Sequence, residues 1–340
     1  KKADKLAKLF IKNFEKYSHQ ALNIRNEKEF ESQALLNFHY QVKNVQVYQE
    51  FVGLLGVNPN KINRVKDIPF LPISVFKTHP VISDHLQAEA IFQSSGTTGM
   101  ERSKHLVHDL EVYQKSFQNG YNWFYGDIKE YTILALLPSY LEQGESSLVY
   151  MVNQLIVDSQ NSKSGFYLNN LDELISTLEN LEQSNKKTIL LGVSYALLDL
   201  IERKQFKLQN TIIMETGGMK GRRKEMVKEE LHTTLKKGFG VKEIHSEYGM
   251  TELLSQGYSK GNGIFETPPW MKVLIRDATD PLSLLGLNKT GGINVIDLSN
   301  FYSCSFIATQ DLGKKISENE FEIIGRFDHT DIRGCNLLLA

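Results

Sequence analysis

The sequence predicts an α/β fold, with a mainly parallel sheet flanked by helices and a smaller β section beside it. Between residues 131 and 246, short apolar runs rich in Ile, Leu, Val and Thr alternate with longer amphipathic stretches, the pattern of strands followed by crossover helices. Polar or glycine-rich turns follow these strands, as open parallel sheets require where ligands bind. From about residue 272 the helical stretches give way to shorter strands separated by Gly and Asp, the mark of a more antiparallel section.

Taken in order, residues 1–57 read as helical, with Leu6, Leu9, Phe10, Phe14 and Tyr17 on one stripe and Val45, Tyr48, Phe51, Val52 and Leu55 on another. Gly56 and then Pro59 stop the second helix. Residues 67–81, DIPFLPISVFKTHPV, are broken by Pro69, Pro72 and Pro80, so an extended covering segment is expected there. Strands are expected over residues 131–137, 188–193, 211–215 and 241–246, and helices over 148–157, 171–181, 195–203 and 222–235. Shorter strands follow at 273–276, 293–298 and 306–309. The expected organisation is a helical N-terminal region over residues 1–85, an α/β core over 86–270 and a smaller β section with a terminal hinge segment over 271–340.

Composition narrows the function classes. The 340 residues are 41% hydrophobic, enough for a substantial core. Lys and Arg number 39 against 40 Asp and Glu, so no global field draws the chain to nucleic acid or an anionic membrane. Cys304 and Cys335 are the only cysteines and belong to no metal-ligand array, so a reducing cytoplasm without structural zinc is expected. No apolar run approaches the roughly 18 residues of a membrane span, and the N-terminus lacks the pattern of a signal peptide. A soluble cytoplasmic protein with its initiator Met removed or trimmed is the expectation.

The chemistry centres on residues 91–107, IFQSSGTTGMERSKHLV. Gly96 and Gly99 let the backbone approach an anion, Ser94, Ser95, Thr97 and Thr98 offer hydroxyls, and Arg102 and Lys104 add positive charge. The spacing is not that of the G-x-x-x-x-G-K-[ST] phosphate loop. The residues alone are equally compatible with a triphosphate cradle and with a polar hairpin turn.

Further turns fall after the strands, at residues 138–147, Ser194, 216–220 and 248–252. Gly217 and Gly218 permit close approach of a flat ligand, Tyr248 offers a stacking face, and Glu252 offers a carboxylate suited to Mg²⁺. Plain packing for Tyr248, and a solvated or capping role for Glu252, are the alternatives. Asp311 could accept from ribose hydroxyls and Arg326 could reach a phosphate or the same ribose; Lys77 is either solvated or paired with an anion. His105 and His108 read as strand or core histidines, whereas His245 is a candidate substrate contact. Cys304 reads as core.

Taken together, SSGTTGMERSK at 94–104, YGMTE at 248–252, TQD at 309–311 and GRFDHTDIRG at 325–334 resemble, in order, the motifs of the adenylate-forming ligase superfamily. Within it the chain is most similar to the acyl-protein synthetases of bacterial bioluminescence, the fatty-acid component of the reductase complex, and more distantly to phenylacetate-CoA ligases. The resemblance implies the large-domain architecture of these ligases. It puts Ser94, Ser95, Gly96, Thr97, Thr98, Gly99 and Lys104 on the ATP phosphates, with Gly217, Gly218, Tyr248 and Gly249 near adenine. Thr251 and Glu252 fall at the α-phosphate and Mg²⁺, and Asp311 with Arg326 at the ribose. The mobile C-terminal domain and its late lysine are expected to be absent, leaving Lys77 or Lys220 to take that lysine's part.

The implied reaction is ATP-dependent activation of a hydrophobic, fatty carboxylic acid as its acyl-adenylate, then transfer to a protein thiol. The resemblance places that thiol at Cys335; its alternative is a small buried hydrophobe. Coenzyme A or a carrier protein is the competing acceptor, which would make the chain an acyl- or aryl-CoA ligase. An acyl reductase or carrier protein is the implied partner. A non-catalytic nucleotide-binding subunit is the reading from another class.

Overall fold

In the computed structural model of the protein, residues 18–95, 101–138, 144–217 and 226–327 are described. After a short helical stretch at residues 18–23 come two helices, α1 (Glu27–Asn44) and α2 (Gln46–Leu54). Asn26 caps α1 by accepting from the Glu29 amide at 3.0 Å. Val45 breaks the pair by adopting an extended backbone, and Gly56, at φ +67°, turns the chain away after α2. Tyr48 and Val52 of the expected stripe are buried; the stripe at residues 6–17 lies outside the described residues.

The proline-broken segment contributes β1 (Leu71–Pro72), which pairs in parallel with a later strand, and one helical turn, α3 (Val75–Thr78). That turn departs from the purely extended expectation. It forms where residues 73–79 are free of proline. Next comes an antiparallel hairpin, β2 (Ala90–Gln93) and β3 (Lys104–Val107), in which Gln93 faces Lys104. Helix α4 (Leu110–Tyr125) is an addition to the expected elements; Asp109 caps it, and Val112, Tyr113, Phe117, Tyr121 and Phe124 form its buried face.

The βα alternation then follows: β4 (Thr132–Leu136), α5 (Ser147–Asp158), β5 (Gly165–Phe166), α6 (Leu171–Gln183), β6 (Thr188–Val193), α7 (Ser194–Arg203), β7 (Thr211–Thr216), α8 (Lys228–Phe239) and β8 (His245–Tyr248). These strands pair in parallel in the order β5-β4-β6-β7-β8. The last strand begins later than the periodicity suggested, so Tyr248 ends β8 instead of opening the turn after it.

The antiparallel strands are β9 (Gly257–Ser259), β10 (Ile264–Glu266), β11 (Met271–Arg276), β12 (Leu284–Leu285), β13 (Thr290–Asp297), β14 (Phe306–Lys315) and β15 (Glu320–Arg326). β8 pairs with β9, and the order continues β9-β10-β15-β14-β13-β11-β12, so among the described residues the smaller section and the parallel strands form one mixed sheet. Among the described residues the hydrophobic core has two parts. Helices α4–α8 pack with the parallel strands, whereas α1, α2 and β1 share a core with β11, β13, β14, Tyr248 and Phe321.

Buried amides hold the N-terminal helices in place. Gln41 donates to the carbonyls of Asn300 and Phe301, both at 2.9 Å, and accepts from the Ser305 amide at 3.0 Å. Asn37 donates to Leu298 O at 3.1 Å. The irregular stretch between β13 and β14 thus has its backbone satisfied by side chains of α1. Among the described residues no helix is long and apolar enough to cross a membrane.

Candidate active site

The β2–β3 hairpin closes at its neck just before the glycine loop. The Ser94 amide donates to Ser103 O at 3.1 Å, and Ser94 Oγ accepts from the Ser103 amide at 3.0 Å. The Gln93 amide donates to Glu145 O at 2.8 Å, tying the hairpin to the turn that enters α5. The carboxyl ends of β7 and β8 lie opposite. Between these parts is a cavity of about 530 Å³, lined by Ser94, Ser95 and Arg102 from the hairpin, residues 144–148 and Met151 from the start of α5, Tyr113 from α4, Thr216 and Gly217 after β7, and Glu247, Gly249, Met250, Thr251 and Gln256 around the end of β8. Its volume is that of a small-molecule site. Ser194, which opens α7 directly after β6, donates to Gly217 O at 3.1 Å and so braces that part of the wall.

Two carboxyls stand side by side where β7 and β8 end. Glu215 is buried and surrounded by partners: Ser246 Oγ donates to Oε1 at 2.7 Å, while Lys228 Nζ and His232 Nε2 lie 3.2 and 3.3 Å from it. Burial alone would raise its pKa, but the His232 and Ser246 hydrogen bonds and the Lys228 charge outweigh that and hold it below the usual value. Glu247 lines the cavity and has less support. Thr216 Oγ1 donates to its Oε2 at 2.6 Å, the one hydrogen bond its carboxyl makes among the described residues. Burial pushes Glu247 up to about 7, and the neighbouring Glu215 adds to the effect. Its other oxygen, Oε1, lies so near Gly249 that a Cβ there would collide with it.

A second group forms beyond Tyr248. The Tyr248 ring packs against Phe265 and Phe321, and its hydroxyl donates to Asp311 Oδ2 at 2.8 Å. Asp311 faces Arg326 across the β14–β15 ladder, with Oδ1 3.4 Å from Arg326 Nε. Glu252 is buried, which raises its pKa; the Ser103 hydrogen bond and the charges of Arg326 and Lys77 oppose the rise. The Glu252 backbone is braced by Asn300, which donates to its carbonyl at 2.8 Å, and His105 Nδ1 donates to Thr251 O at 2.8 Å. Burial lowers His105 to about 4, so it holds this turn as a neutral imidazole.

The sequence-derived residues therefore divide in two. Ser94, Ser95, Gly217, Gly249 and Thr251 surround the cavity, whereas Tyr248, Glu252, Asp311, Arg326 and Lys77 form the group beside it. Lys104 is exposed on β3 away from the cavity lining, and Arg102 is the hairpin cation that reaches it. Gly96, Thr97, Thr98, Gly99, Gly218, Lys220 and Cys335 lie outside the described residues. His245 opens β8 instead of ending it, pairs with the Tyr125 hydroxyl at 3.1 Å and stands away from the cavity lining. Glu247, Gln256, Tyr113 and Met151 are cavity residues that pattern reading missed. The one available signal was an acid next to Tyr248 in an otherwise buried strand.

Among the described residues no group of three or more His, Cys, Asp and Glu could hold a metal. Mg²⁺ asks less, since it takes one or two carboxylates and completes its shell with water and phosphate. Glu252, a buried carboxylate whose charge is only partly offset by Ser103, Arg326 and Lys77, fits that demand.

The acyl-protein synthetase family, LuxE, matches the chain over residues 14–119, from the N-terminal helices into α4. No curated protein matches it. Among solved structures, ATP-bound MatB from Rhodopseudomonas palustris is similar at a TM-score of 0.52 and 18% identity, over 70% of this chain and 48% of its own. The McyG A-PCP structure complexed with phenylalanyl-adenylate gives 0.52 and 17%, over 73% and 48%. A 2-hydroxyisobutyryl-CoA ligase in complex with 2-HIB-AMP and CoA gives 0.65 and 12%, over 89% and 68%. The chain spans about half the length of the first of these. Its fold is that of the adenylate-forming ligases.

Proposed function

We propose that this protein activates a carboxylic acid with ATP, forming an acyl-adenylate and releasing pyrophosphate, and then passes the acyl group to a thiol. The observation that carries the reading is the cavity at the carboxyl ends of β7 and β8, roofed by the neck of the hydroxyl- and glycine-rich hairpin. A carboxylate is a poor electrophile, and attack on the α-phosphate makes AMP its leaving group. Work of this kind is mostly positioning and charge neutralisation. Ser94, Ser95 and Arg102 supply donors and a cation at the cavity, and Gly217 and Gly249 leave room for backbone approach. Glu252 would hold Mg²⁺, whose chemistry is to neutralise phosphate charge. Asp311, paired with Arg326, is the ribose-side candidate, and Tyr248 orients it through its hydroxyl.

The acyl-protein synthetase match over residues 14–119 supports a protein as the acyl acceptor; the acid of this reading is a fatty or otherwise hydrophobic one, and the acceptor thiol within this chain is Cys335, which lies outside the matched residues. Tyr113, Leu148 and Met151 give the cavity the apolar walls such an acid needs. The test is incubation with ATP, Mg²⁺, hydroxylamine and a panel of acids. Pyrophosphate and hydroxamate are expected, and folded protein that binds ATP yet turns over no acid would sink the reading. Mass spectrometry then locates the acyl group: an adduct lost in Cys335→Ala supports the protein thiol, whereas undiminished acyl-CoA formation by that variant supports coenzyme A.

A further inference from the structure

The cavity is not the smooth apolar tunnel that a plain hydrocarbon chain would fill. Tyr113, Leu148 and Met151 are apolar walls, yet Glu247 and Gln256 also line the cavity, and both reach the space over Gly249. Glu247 is only 9% exposed, so its polar atoms meet cavity or protein and little bulk water. Its neighbour Glu215 already has Lys228, His232 and Ser246; Glu247 has the Thr216 hydroxyl alone among the described residues. A buried acid with an incomplete set of donors is costly, and a ligand that supplies the missing donor recovers that cost. Room for the carboxyl is kept by Gly249, where any Cβ would displace it.

Resting on the acid-activating reading above, we infer that the acid this protein selects is a largely apolar one carrying a hydroxyl or an amine that donates a hydrogen bond to Glu247, with Gln256 as the second polar contact. An unsubstituted hydrocarbon acid would leave Glu247 facing an apolar surface with its acceptor unused. A site built to hydrogen-bond a substrate group rejects the analogue lacking it far more strongly than an apolar wall rejects one methylene. Glu247 is thus a specificity-determining residue, and it acts on the first half-reaction.

The experiment compares pyrophosphate release for octanoate with hydroxy- and amino-octanoates, and for phenylpropionate with its hydroxyphenyl and aminophenyl counterparts, the substituent being moved along the octanoate chain. Native protein is expected to favour at least one hydroxylated or aminated acid over its parent by roughly 100-fold or more in kcat/KM. Glu247→Leu should collapse that ratio towards one, and Glu247→Gln, which keeps shape and acceptor oxygen, should retain the hydroxyl preference while losing an amine preference. Hydroxy acids winning alone identify an alcohol as the donor; amino acids winning alone identify an ammonium. Native protein that turns over the parent acids as well as every substituted one overturns this inference and leaves acid activation standing. Failure of every acid overturns both.

Discussion

At the scale of single residues, Glu247 makes the stability depend on pH. The carboxyl is pushed from 4.5 to about 7 by burial first and by Glu215 second, against the Thr216 hydrogen bond and Lys228. The hydroxyls of Tyr113, Tyr125 and Tyr258 are the other titratable groups within its field. Between those two pH values the native state holds a proton that the unfolded chain has released, so this residue's contribution falls as pH rises through the window and is lost above about 7. Glu247→Gln should remove that fall, worth at most ~3 kcal/mol, and denaturant titrations of both proteins at about pH 5 and about pH 8 would read it. An identical pH slope in the two proteins would rule it out. Cys304 is the opposite case of a group silenced by its surroundings. It is fully buried and its thiol is pushed up to about 12, which leaves almost no thiolate near neutrality. Brief alkylation of the folded protein should therefore leave Cys304 unmodified, as peptide mapping would show; prompt labelling there would mean that this core opens.

At the scale of elements, α7 and α8 touch through a glycine. A Cβ on Gly238 would come within 2.6 Å of Ile201 Cβ and Cδ1. Gly238→Ala gains up to about 1 kcal/mol of helix propensity but overpacks a close helix contact, which costs about 1–3 kcal/mol. Net destabilisation in urea melts is the expected result, and a stabilised variant would show that α8 can slide. A second element-level brace is Asp297 at the end of β13. Its carboxylate accepts from the amides of Leu254, Ser255 and Ser299 at 2.8, 2.9 and 3.1 Å and from Ser255 Oγ at 2.6 Å. This fixes the turn after Glu252 to the antiparallel strands. Asp297→Ala strands three buried amides, each costing about 1–3 kcal/mol, so a loss of several kcal/mol in denaturation and a slower adenylation step are expected. Native-like stability of that variant would mean that water replaces the carboxylate.

At the scale of the molecule, the N-terminal helices are part of a core they share with strands far along the chain. Phe30, Phe38, Val42, Tyr48 and Val52 pack with Val295, Phe306 and Phe321, and Gln41 satisfies the backbone between β13 and β14. Deleting residues 18–81 should therefore expose the antiparallel strands and give an aggregated or unfolded product, by circular dichroism and gel filtration. A soluble, folded remainder would contradict this shared core. The sequence by itself determined the α/β class, the strand at residues 188–193 to the residue, and the chain order of the segments that bear the chemistry. Those are local properties, fixed by side-chain period and turn composition. Only the tertiary structure decided which side chains meet. It gave the Tyr248 hydroxyl to Asp311, 63 residues away, and carried α1 to residues 298–305. It also turned Glu247, Tyr113 and Gln256 into one cavity wall. Such meetings depend on strand order and register, and pairing across a sheet leaves no periodic mark in the segments that are joined.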